Sequence, residues 1–149
     1  MKLCEGIVAV LCIALHVFIF RIQCHTGDIC LGRGQRCYEG TVQVCSDGTW
    51  GTVCDDSWDS NDARVVCRQL GYETSGATAL NRAYFGYGAG NIVMDDVSCS
   101  ESETKLYYCS YNSNHNCGHS EDASVRCSSI RERPSSGVCY RTETYLVGY

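Results

Sequence analysis

The sequence predicts an α+β fold, a small domain stapled by disulfides. Three observations predict it. Thirteen of the 149 residues are cysteine, a share in the range that marks a disulfide scaffold. Two β-branched runs, TVQVC (residues 41–45) and TWGTVC (residues 49–54), flank Asp47-Gly48. A two-residue Asp-Gly loop between such runs favours a type I′ hairpin turn, because both central residues need positive φ. A single amphipathic helix follows at residues 60–71. Asp59, Ser60 and Asn61 can each supply an N-cap oxygen. Val66 and Leu70 share one face, Arg64 and Arg68 another, and Gly71 stands where a C-cap glycine belongs.

Taken in order, the chain opens with Met1, Lys2 and Leu3. Residues 6–20 are then apolar except for His16, and Arg21 ends the run. That length suits a signal peptide and is short for a membrane span of about 20 residues. We place the leader at residues 1–24, with an uncleaved signal anchor as the alternative. Residues 25–34 are polar and glycine-rich and read as an N-terminal arm. The domain proper is expected at residues 35–128. After the hairpin and helix, residues 73–90 read as a long glycine-punctuated connection. Such a loop needs an anchor, and Tyr84, Phe85 and Tyr87 are the expected apolar ones. NIVMDDVSC (residues 91–99) reads as a strand ending in an acidic pair. A short helix or turn leads to Cys109, a polar loop follows, and ASVRC (residues 123–127) closes the domain. Residues 129–149 read as a tail containing Cys139.

Cysteine in this number implies an oxidising compartment, hence secretion. Losing the leader removes Lys2, Arg21 and Glu5 from the 12 basic and 17 acidic side chains, leaving 10 against 16 and a net charge of −6. This balance argues against nucleic-acid binding by a basic footprint. No nucleophile elbow, HExxH or phosphate loop appears, so no catalytic residue is expected. Membrane association is expected only if the leader stays uncleaved.

Four blocks, GTWGTVCDD, WDSNDARVVCRQLGY, AYFGYGAGNIVMDDVSC and NCGHSEDASVRC, resemble the scavenger receptor cysteine-rich (SRCR) domain family, in order and at its spacing. The resemblance implies a curved antiparallel sheet cradling one helix. It also implies three bonds, Cys54–Cys117, Cys67–Cys127 and Cys99–Cys109, those of the six-cysteine class. The eight-cysteine class adds a bond for which Cys37 occupies one position, but Tyr72 stands at the other. Cys30, Cys37, Cys45 and Cys139 are therefore extra. Cys37–Cys45 with Cys30–Cys139 is one arrangement; a terminal cysteine joining two chains is another.

The acidic clusters are the candidate site. Hard cations such as Ca²⁺ want several carboxylate and carbonyl oxygens at one point. In the family the aspartates of the CDD block and the glutamate of the HxED block form a cation site for ligands, which implies Asp55, Asp56 and Glu121 here. Asp95 and Asp96, with Asp59 or Asp62, could form a second site. Arg64 and Arg68 could add contacts to an anionic ligand. His115 and His119 flank Cys117, but a disulfide there removes the thiolate that zinc would use. The resemblance implies a soluble recognition module for polyanionic, microbial or protein ligands. The alternatives are an anchored receptor fragment that binds a protein or peptide, and a disulfide-linked structural protein.

Overall fold

The computed structural model describes residues 24–128, together with the backbone of residues 9–13 and 16–20. Most of the expected leader and the expected tail, including Cys139, lie outside the described residues. Strands β1 (Ala9–Ile13) and β2 (His16–Phe20) pair antiparallel as a separate ribbon. The domain itself contains β3 (Ile29–Gly32), β4 (Glu39–Ser46), β5 (Thr49–Val53), α1 (Ser60–Gln69), β6 (Glu73–Leu80), β7 (Ile92–Ser98), β8 (Ser110–Asn112) and β9 (Ser124–Ser128). The sheet order is β6-β9-β4-β5-β7-β8, with β3 on β4. All pairings are antiparallel except β5 with β7.

The hairpin forms as the Asp-Gly signal requires, with Asp47 at φ 50° and Gly48 at φ 76°. Asp59 is the helix N-cap. Its carboxylate accepts from the amides of Asn61 and Asp62, while the Asp62 carboxylate accepts from the Asp59 amide at 2.8 Å. This reciprocal capping box satisfies donors that a helix start otherwise leaves orphaned. Gly71, at φ 82°, terminates the helix. Helix α1 turns Val65, Val66 and Cys67 inward and packs on β6 and β9. There they meet Val42, Val44, Val53, Met94, Val97, Leu106 and Val125, all at most 1% exposed. Each such side chain contributes about 1.5–3 kcal/mol by leaving water. Trp58 closes the core, with its indole N–H on the Ser124 carbonyl at 3.1 Å.

Residues 73–80, expected within a connection, are β6. Gly76 at φ 83° and a register break between Glu73 and Thr78 interrupt the period-two pattern that would reveal a strand. Residues 29–32, expected within an arm, are β3. Of the three aromatics expected to anchor the loop after β6, Phe85 is half-buried, whereas Tyr84 and Tyr87 are 58% and 61% exposed and do not anchor it. Polar groups hold it. Thr41 Oγ1 donates to the Gly86 carbonyl at 2.6 Å, Gln43 Nε2 to that of Ala89, and the Gly88 amide donates to Asp122 at 2.7 Å.

Cys54–Cys117, Cys67–Cys127 and Cys99–Cys109 are bonded. The fourth described bond corrects one expectation: Cys45 pairs with Cys24, not with Cys37. β4 runs unbroken from Glu39 to Cys45, about 20 Å of extended chain. That span exceeds the roughly 4.4–6.8 Å a disulfide bridges. Cys24 lies beside the far end of β4 because residues 26–28 are knitted to it. The Gly27 amide reaches the Cys45 carbonyl at 2.9 Å, and the Asp47 amide reaches Thr26 Oγ1 at 3.0 Å. Cys30 and Cys37 each take part in a disulfide as well, not with one another. Cutting after Cys24 would strip Cys45 of its partner. We therefore expect that, if a leader is cleaved, the cut falls upstream of Cys24: intact mass of chain recovered from the culture medium should include Cys24, whereas a chain starting at His25 would overturn this.

Candidate cation-binding face

Two strands that run parallel create the site. The register Val53↔Met94 aligns β5 with β7, so the acids that follow Val53 and Met94 emerge side by side. TVCDD supplies Asp55 and Asp56; IVMDD supplies Asp95 and Asp96. The third contribution comes through Cys54–Cys117, with an S–S distance of 2.10 Å. The Cys54↔Asp122 bridge and the Asp55 amide on the Glu121 carbonyl at 2.7 Å bring the chain after Cys117 alongside.

Asp56 lies at the centre. A carboxylate oxygen each from Asp56 and Asp95 and the two sulfurs of Cys54 and Cys117 all lie within 4.8 Å of one another. The sulfurs share a disulfide, so the ligating atoms on offer are oxygens. The Asp56 carboxyl is pushed above its ordinary value, first by desolvation and then by the charges of Asp95, Glu121, Asp55 and Asp96. The other acids are held in place. Glu121 accepts from the Gly118 amide at 2.8 Å and Asp95 from the Asp96 amide at 2.7 Å. Asp96 accepts from Ser57 Oγ at 3.1 Å, and Asp55 accepts from the Arg82 amide. Each of these bonds engages one oxygen of its carboxylate and fixes the orientation of the other. Asp122 differs: it is fully buried, binding the Gly88 amide and His119 Nδ1, the latter at 3.1 Å. It positions the neighbouring loop.

The structure thus redistributes the two expected acid sets. Asp55, Asp56 and Glu121 come together, and Asp95 and Asp96 join them. Asp59 and Asp62 do not, being engaged in the helix cap. Both Asp62 oxygens are occupied, one by the Asp59 amide and one by the Cys99 amide at 2.9 Å. Burial pushes its carboxyl up to about 6. A sequence signal for the merger existed: both acid pairs closely follow a β-branched run. Arg64 and Arg68 lie on α1, tethered to the loop after Cys99. Arg64 pairs with the Glu101 carboxylate, and Arg68 donates to the carbonyls of Glu101 and Glu103 at 2.7 and 2.9 Å. His115, His119 and Cys117 line a shallow open cavity with Gly90, Asn91 and Ile92.

Comparisons with known proteins identify the family and the fold. A family model described as "Scavenger receptor cysteine-rich domain" matches residues 32–128. A "Scavenger receptor cysteine-rich domain superfamily protein" of Patiria pectinifera is 45% identical over 103 residues. The match covers 68% of this chain and 9% of that much longer relative. Among solved structures, the third SRCR domain of murine neurotrypsin is 47% identical with a TM-score of 0.64. The alignment covers 69% of this chain and 97% of that one. The SRCR domain of mouse MARCO, described in a dimeric form, is 50% identical with a TM-score of 0.55 over 60% of this chain and 86% of that one.

Proposed function

This chain belongs to the scavenger receptor cysteine-rich family, and from that premise we propose that it is an extracellular binding module whose acidic face uses Ca²⁺ to capture ligands. The observation that carries the reading is Asp56. Its carboxylate has no nitrogen or oxygen donor among the described residues and sits amid four other acids. Cys117 Sγ, 4.0 Å from it, belongs to a disulfide and has no proton to give. Carboxylates so placed repel one another until a cation or protons intervene. The donors are hard oxygens, several with one atom already fixed by a backbone amide, which is the ligand type Ca²⁺ prefers. Asp56, Asp95, Glu121 and Asp55 would hold the ion. Once bound, it supplies positive charge on a surface whose net charge is otherwise negative, and a sulfate, phosphate or carboxylate can complete its coordination. That chemistry suits polyanionic and microbial surfaces as well as acidic patches on proteins.

Calorimetric titration of the oxidised chain with Ca²⁺ tests the proposal. We expect saturable heat that the Asp56→Asn variant loses by at least about tenfold in affinity, with its circular dichroism unchanged. Ca²⁺ and protons compete for Asp56, so affinity should weaken as pH falls into the carboxylate range. No heat from the wild type would sink the cation mechanism and leave a cation-independent module.

A further inference from the structure

We propose that the loop after β6 presents a second recognition face, independent of the cation, for an acidic peptide segment of a partner protein. The acidic face engages this loop from one side, through Asp55 on the Arg82 amide and Asp122 on the Gly88 amide. Its outward side carries the opposite chemistry. Tyr84 and Tyr87 are 58% and 61% exposed, although the backbone beneath them is pinned by Thr41, Gln43 and Asp122. Two arginines bracket them. Arg33 Nε donates to the Tyr87 carbonyl at 3.2 Å. The Arg126 guanidinium, whose Nε donates to the Glu39 carboxylate at 2.8 Å, lies 5.7 Å from the Tyr84 ring centre and 5.6 Å from that of Phe85, and these two rings meet edge to face at 4.9 Å. Arg82 opens the loop, exposed, with no side-chain partner among the described residues.

Exposed tyrosine beside arginine, on a backbone that need not be ordered on binding, is what strong protein interfaces use. Tyrosine offers area at low entropic loss, and arginine's planar fork takes a carboxylate through two parallel bonds. Arg33, Arg82 and Arg126 are three of seven basic residues between positions 24 and 128. They gather around one loop; Arg126 is paired with Glu39, whereas Arg33 and Arg82 have no carboxylate partner among the described residues, and these two select an anionic partner by charge. The open cavity lies against Gly90 and His119 and contains neither these rings nor these arginines. Exposed rings flanked by arginines suit an extended peptide.

Fluorescence anisotropy on the full oxidised chain tests this, with a fluorescein-labelled octaglutamate peptide and a labelled heparin tetrasaccharide as probes, each in EDTA. We expect saturable peptide binding in EDTA that weakens as salt rises. It should fall at least about tenfold in the Tyr84→Ser/Tyr87→Ser variant and in Arg33→Gln, and stay within twofold in Asp56→Asn. Loss of Ca²⁺ heat in Asp56→Asn with peptide binding retained would separate the two faces. Absence of peptide binding in EDTA, binding unaffected by the loop variants, or binding of the saccharide alone would each overturn the proposal.

Discussion

Replacing Cys67 and Cys127 together by alanine is expected to lower the unfolding free energy by roughly 4 kcal/mol. The bond joins residues 60 positions apart, and the chain-entropy model ties its worth to the length of loop it closes. Both half-cystines are buried, at 0% and 3% exposure, and they fasten α1 to β9 across the centre of the core. A domain of this size has a total stability of roughly 5–15 kcal/mol, so the variant should sit near the limit of folding. Denaturant titration checks it. The Cys99→Ala/Cys109→Ala pair, separated by 10 residues, is the comparison and should lose less, roughly 3 kcal/mol. Equal losses would mean that packing around the sulfurs outweighs chain entropy.

The second large effect is a pH dependence centred on Asp62. This carboxylate is wholly buried, and burial raises its pKa from 3.8 to about 6. The folded state therefore holds the proton more tightly than the unfolded chain does. Its contribution favours folding fully below pH 3.8 and is lost as pH climbs to about 6. A rise of that size corresponds to about 3 kcal/mol. The stability of wild type minus that of Asp62→Asn should accordingly fall by about that amount between pH 4 and pH 7, then level off. A difference that stays flat across this window would refute the assignment. Asp62→Ala should be worse than Asp62→Asn at every pH, because the buried Cys99 amide then loses its acceptor, a loss of about 1–3 kcal/mol.

The elements visible in the sequence were those with local chemistry. Asp47-Gly48 announced its hairpin because positive φ at two successive residues restricts the residue types that fit. The helix announced itself through Asp59, the Val66–Leu70 spacing and Gly71. β6 stayed hidden because its partner β9 lies some fifty residues away and Gly76 breaks its alternation. β3 stayed hidden among glycines, since its pairing with β4 is written in backbone bonds and not in side-chain pattern. The candidate site was half legible. The CDD and HxED blocks located Asp55, Asp56 and Glu121, but pairing Asp95 with Asp56 depends on the parallel register of β5 and β7. Asp59 and Asp62 were equally acidic on paper; only the helix start explains why they point elsewhere. Cys24 looked like part of the leader because a disulfide partner carries no local signature.

β9 is the last of the domain's strands to leave the ribosome, yet it is not at an edge. It lies between β6 and β4. During synthesis the hairpin of β4 and β5 can close at once, but β4 and β6 each keep an unpaired backbone edge until residues 124–128 arrive. Native assembly therefore waits for the end of the domain's synthesis, and a nascent chain halted before Cys127 displays edges open to other strands.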